Sequence, residues 1–243
     1  MRTSNPVLRS DVFQATRMGG ASMTIGGTVL KTGFFLALST AVGLVTFVLA
    51  RRGLNIMPLL WVGGIGGMVL ALITAFKPAW ASVTGTLYAL AEGLVLGGVS
   101  AFYEARFPGV AFAAAGCTIG TLAALLLAYQ SGWIKVTPGF RMGVIVATGG
   151  IFLFYLVSMV LRLFGVQVPF IHESGWLGIG FSLVVVAIAA MNLVLDFDFI
   201  EQGAASGAPK YMEWYAAFGL MVTLIWLYLE ILRLLSKLSG RRD

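Results

Sequence analysis

Apolar residues run in seven long blocks, at 32–50, 58–76, 84–103, 109–129, 142–164, 175–197 and 211–235, separated by short polar or glycine- and proline-bearing connections. Each block is close to the ~20 residues an α-helix needs to cross a hydrocarbon layer about 30 Å thick. The period-2 alternation of membrane strands is missing, so the pattern predicts an all-α membrane protein of seven transmembrane helices, not a barrel. The chain is 59% hydrophobic and 11% charged, where a soluble domain carries about 25% charge; a water-soluble fold is excluded. Three parts are expected: a polar N-terminal tail over 1–28, the transmembrane domain over 29–237 and a basic C-terminal tail over 238–243. The first tail, with Arg2, Arg9, Arg17 and Asp11, is expected to lie on the membrane surface near its end. It lacks the continuous apolar centre of a cleavable signal peptide, so the first helix itself is expected to target the chain.

Helices in lipid associate by close van der Waals approach, which small residues four apart permit. Gly63 with Gly67, Gly93 with Gly97 and Gly116 with Gly120 are such pairs in the second, third and fourth blocks, and a packing role would offset the helix cost of part of the 31 glycines. Trp61, Trp80, Tyr103, Tyr129, Trp133, Trp176, Trp214 and Tyr215 lie near block ends, as interfacial anchors do. Lys and Arg divide evenly across seven spans: Arg2, Arg9, Arg17, Lys31, Lys77, Lys135, Arg141 and Lys210 on the amino-terminal side, Arg51, Arg52, Arg106, Arg162, Arg233, Lys237, Arg241 and Arg242 on the other. With no bias, the positive-inside rule assigns no cytoplasmic face.

The net charge of +6 does not point to nucleic acid, because no basic stripe is interleaved with stacking aromatics on a soluble face. Arg51 with Arg52, and Lys237 with Arg241 and Arg242, flank apolar blocks, where anionic lipid headgroups are the expected partners. Arg162 is expected to snorkel to the interface. A single cysteine, Cys117, excludes an internal disulfide, and a single histidine, His172, leaves little for a zinc site. No G-x-S-x-G, H-E-x-x-H or P-loop is present, and His172 stands beside Glu173 without a serine–acid arrangement, so no enzyme and no bound cofactor are expected.

What remains is acid in an apolar setting. A carboxylate at the bilayer centre costs several kcal/mol, so each one kept there is a functional candidate. Glu92, in YALAEGLVLGG, sits near the middle of its block with Tyr88 one turn earlier on the same face. It either lines an aqueous path or makes a hydrogen bond between helices. Asn192 and Asp196 are four apart on one face, and Asn192 extends the polar face of Asp196 inward. Asp198 points about 200° away, so only one aspartate can address a lumen; Asp196 is favoured, with Asp198 and Glu201 as a solvated helix end. Glu213 and Glu230 lie about 25 Å apart along the last helix. Glu230 stands three residues before Arg233, which suits a salt bridge within the helix as well as a place on a pore.

Seven short-looped spans, a sixth helix ending in L-D-F-D-F-I and a last helix containing W-L-Y-L-E-I-L-R-L-L resemble the Bax inhibitor-1 family, in a bacterial-type member of the plasma membrane. The resemblance implies six helices in two layers around a central seventh. It also implies a pH-sensitive calcium leak, closed when an acid ending the sixth helix and one in the seventh share a hydrogen bond. Asp196 matches the first position and Glu230 the second, with glutamate where the family often has aspartate; both would meet calcium in passing. Their separation is wider than the family pattern. If the sixth and seventh helices are antiparallel, Asp196 is level with residue 218 and Glu230 is roughly 18 Å too far away. Either the last helix is broken near Gly219, or the pair is not formed and Glu213 approaches Asp196.

Two close carboxyls share a proton, and its loss separates the helices they tie; oxygen ligands facing a narrow path attract a hard divalent cation. Two other classes stay open. A proton-coupled transporter of a small solute would use Glu92 as relay, and a non-transporting regulator of a membrane protease or stress complex would act through a membrane protein partner and keep its effect with every buried carboxyl neutralised.

Overall fold

The structure, a computed structural model, describes residues 21–164 and 175–240. His172, Glu173, Arg2, Arg9, Asp11, Arg17, Arg241 and Arg242 lie outside the described residues. Among the described residues there are seven long helices: α1 (Ile25–Arg51), α2 (Met57–Phe76), α3 (Ala81–Arg106), α4 (Val110–Gln130), α5 (Pro138–Leu163), α6 (Trp176–Ala205) and α7 (Met212–Ser239). All seven are long and apolar enough to cross a membrane.

Several helices exceed their apolar blocks because local chemistry extends them. α1 starts at Ile25, where the Thr24 side chain accepts from the Gly27 N–H, and α5 starts behind Thr137 with Pro138 in its first turn. These are standard ways to satisfy or dispense with free N–H groups at a helix start. α6 has 30 residues, about 45 Å, so its last turns stand beyond a 30 Å hydrocarbon core and carry Asp198 and Glu201 to the interface.

The centre is α7. Half of its apolar window (50%) is buried, against 11% for α5. On one side α3 packs between α1 and α2; on the other α6 packs between α4 and α5; α7 touches α1, α3, α4 and α6. Two three-helix layers therefore flank the seventh helix, as the resemblance implies. α7 gives each layer its own face. Ala217, Phe218, Met221 and Ile225 join Phe35, Tyr88 and Ala89, while Ala216, Leu220, Leu224, Leu227 and Ile231 join Ala114, Ala189, Leu193 and Phe197.

Close packing explains two of the three glycine pairs. At Gly93 a Cβ would stand 2.6 Å from the Ser39 carbonyl oxygen, and at Gly63 2.6 Å from that of Ala91, so only hydrogen fits where α3 meets α1 and α2. Gly116 and Gly120 depart from expectation: both are exposed on α4 with nothing within 4 Å of a would-be Cβ. Cys117, between them, is exposed too. The aromatic anchors also divide. Trp61, Trp80 and Trp133 are exposed, whereas Trp214 packs on Phe35 and Tyr129 on Phe197.

Candidate functional site

Asp196 points from α6 into a pocket of ≈ 250 Å³ that it lines with Phe199, Tyr215, Ala216, Phe218 and Gly219. The small residues Ala216 and Gly219 open this space on α7, and α7 runs through Gly219 unbroken. Asp196 is thus level with residues 216–219, and the alternative of a broken last helix is ruled out. Its Oδ2 is buried and has no hydrogen-bond partner among the described residues. The Thr223 hydroxyl lies beside the carboxyl and donates its own proton to the Gly219 carbonyl at 3.3 Å.

Neither expected partner reaches Asp196. Glu230 accepts from the Tyr155 hydroxyl of α5 at 3.1 Å and from Arg233 Nη1 at 2.9 Å. Arg233 Nη1 also donates to Tyr155 Oη at 2.6 Å, and the guanidinium lies over the Tyr155 ring. The salt bridge within the helix is present, and Tyr155 completes it. Glu213 is fully buried and equally engaged: it accepts from the Thr24 backbone N–H at 2.9 Å and hydroxyl at 2.8 Å, and pairs with Lys31 and Lys210. The hydrogen-bonded pair of the family pattern is therefore not formed by Asp196 with either glutamate. The physical reason is register: an unbroken α7 puts Glu230 about three turns past Asp196, and nearby lysines take Glu213.

Other expectations change in detail. Asn192 does not extend the Asp196 pocket; its amide donates to Thr148 Oγ1 of α5 at 2.8 Å and to the Ile188 carbonyl at 2.9 Å. Asp198 pairs with Arg141 of α5 and accepts from Gln202, and Glu201, exposed as expected of a solvated helix end, accepts from Tyr129 of α4, so this end of α6 is also bonded to its neighbours. Lys237 is not a headgroup contact: it is 5% exposed, and Nζ donates to the Gly178 carbonyl at 2.9 Å and Ser182 Oγ at 2.8 Å. Arg51, Arg52 and Arg162 are exposed, as expected.

Glu92 lies half-buried in α3, hydrogen-bonded to Tyr88, with Oε2 directed at Gly67 of α2. The Tyr88 ring meets Phe218 edge-on at 5.1 Å between centroids, and Phe218 in turn lines the Asp196 pocket. Among the described residues no three metal-ligating side chains cluster. Two separate carboxyls, Asp196 on α6 and Glu92 on α3, can attract a cation but not cage it.

The family model for Bax inhibitor 1 like proteins matches residues 5–240. The chain belongs to the Bax inhibitor 1 like family. No curated protein and no solved structure matches it. For this Bax inhibitor 1 like chain the sequence pointed to Asp196 and Glu92, but not to Lys31, Tyr155, Phe218 or Thr223. Lys31, a cation inside an apolar helix, was itself a signal that a buried acid awaits it.

Proposed function

We propose that this integral, multi-pass membrane protein is a pH-sensitive calcium leak, with Asp196 as the carboxyl that the cation meets. The single observation carrying the reading is the Asp196 Oδ2 atom, buried without a partner among the described residues beside a pocket between α6 and α7. Leaving a buried polar atom unpaired costs several kcal/mol in an apolar medium, and such an oxygen is completed by a proton or by a cation. Competition between the two makes flux depend on pH. Because Glu230 and Glu213 hold basic partners, the gate here is Asp196 acting without a second carboxyl bonded to it. Glu92 is a second oxygen site deeper in the bundle.

Calcium entry into dye-loaded proteoliposomes, followed between about pH 5 and pH 8, tests this. Flux rises with pH as the proton leaves, and Asp196→Asn, uncharged at every pH, holds it at the low-pH level. An Asp196→Asn protein with the wild-type pH response overturns the proposal. Wild-type protein that passes no calcium at any pH points to the non-transporting regulator.

A further inference from the structure

We infer that Phe218 is a hydrophobic gate that separates the Asp196 pocket from the Glu92 site. The inference rests on the proposed leak but concerns a residue that the carboxyls themselves do not reveal. Phe218 belongs to both places, lining the pocket with Asp196 and packing on the ring of Tyr88, whose hydroxyl bonds Glu92.

Depth sets Glu92 beyond the other parts. α3 and α7 start at the same face of the bundle, where the turn Pro78–Trp80 touches α7. Phe218 lies about 9 Å along α7 from its first residue and Tyr88 about 10 Å along α3, while Glu92 is a further turn, about 6 Å, deeper. Asp196 shares the level of Phe218, so a cation entering from that face and held at Asp196 would have the Tyr88–Phe218 pair beside it and Glu92 deeper, near the middle of the hydrocarbon.

The two rings make a seal. Tyr88 is 6% exposed and Phe218 7%. Behind them Phe35, wholly buried, packs into the space left by Gly85, where a Cβ would lie 2.8 Å from its ring. Aromatic walls that leave no room for water dewet a path, and an ion cannot cross without its hydration shell. The pocket beside Asp196 gives the Phe218 ring somewhere to swing, whereas Phe35 and Tyr88 block movement the other way. Opening is therefore a rotamer change of one side chain, not a movement of helices.

Thiol labelling tests the gate without calcium. In a Cys117→Ser protein carrying Glu92→Cys, a charged methanethiosulfonate reagent is added to both sides of proteoliposomes. With Phe218 in place the reporter reacts slowly; Phe218→Ala raises the rate about tenfold or more, as loss of a dewetted constriction requires. Phe218→Leu keeps the bulk and keeps the rate low. Phe218→Val trims the ring while retaining more packing, and decides the question by a smaller rise if the alanine protein does not purify as a single species. Equal labelling rates with phenylalanine, valine and alanine overturn the gate. In the protein that retains Glu92 and Cys117, Phe218→Ala also raises calcium flux. Wild-type protein that passes no calcium sinks the leak instead, with the labelling result still deciding on Phe218.

Discussion

Towards the end of α7, Glu230 is held by Tyr155 and Arg233, and Lys237 by Gly178 and Ser182; in the first half of the same helix, Asp196 faces Ala216 and Gly219 with Oδ2 unpartnered. Both regions place charge in an apolar bundle, yet they spend it differently. Around Glu230 every charge meets a donor or acceptor from another turn or another helix, which ties α5, α6 and α7 together. Around Asp196 small residues leave a space, the Thr223 hydroxyl lies beside the carboxyl, and no donor among the described residues reaches Oδ2. Burial alone therefore does not single out a candidate carboxyl in this membrane protein; a missing partner does, because an uncompensated oxygen has affinity left for a proton or a cation.

The largest contrast is in pH response. Asp196→Asn removes the pH dependence of calcium flux, whereas Glu230→Gln leaves the profile in place and lowers stability; a profile flattened by Glu230→Gln would erase the distinction between the two regions. Next is stability itself. Arg233→Ala strands Glu230, 3% exposed, beside a half-open cation site, and is expected to cost roughly 2–4 kcal/mol, less than for a fully enclosed pair because Arg233 is 32% exposed. Thermal denaturation in detergent reads this as a lower Tm, and joining Glu230→Gln to Arg233→Gln restores much of it.

Packing separates more modestly. Gly97→Val drives a side chain into Gly43 and Thr46 of α1 and is expected to cost about 1–3 kcal/mol, while Gly120→Ala, on an open face, gains up to about 1 kcal/mol through helix propensity. Equal Tm changes of the same sign would show that α3 glycines are not contact sites. The smallest effect is Asn192→Ala, which removes one interhelical bond to Thr148 and should cost about 0.6 kcal/mol without moving the pH profile. A shifted profile would return Asn192 to the pore.

The seven spans and the family were legible in the chain because hydrophobic length and the L-D-F-D-F-I and W-L-Y-L-E-I-L-R-L-L segments are local properties. So was the depth of Glu92 and of Asp196, since position within a span fixes depth at 1.5 Å per residue. Even the level of Asp196 near residue 218 followed from counting, as did the Glu230–Arg233 bridge, whose partners are one turn apart. Lys31 to Glu213, Tyr155 to Glu230 and Thr148 to Asn192 were not legible. Each crosses between helices that are apolar almost all round, so no polar stripe states which side turns inward. Gly116 and Gly120 misled for the same reason: four-residue spacing makes a smooth face, but lipid can cover it as well as a helix can. The sequence by itself determined how many helices cross, how deep each charge sits and which family the chain joins. Only the tertiary structure decided which charges are answered, because that depends on how seven nearly uniform cylinders are rotated, and backbone-level contacts such as Gly97 on Gly43 set that rotation.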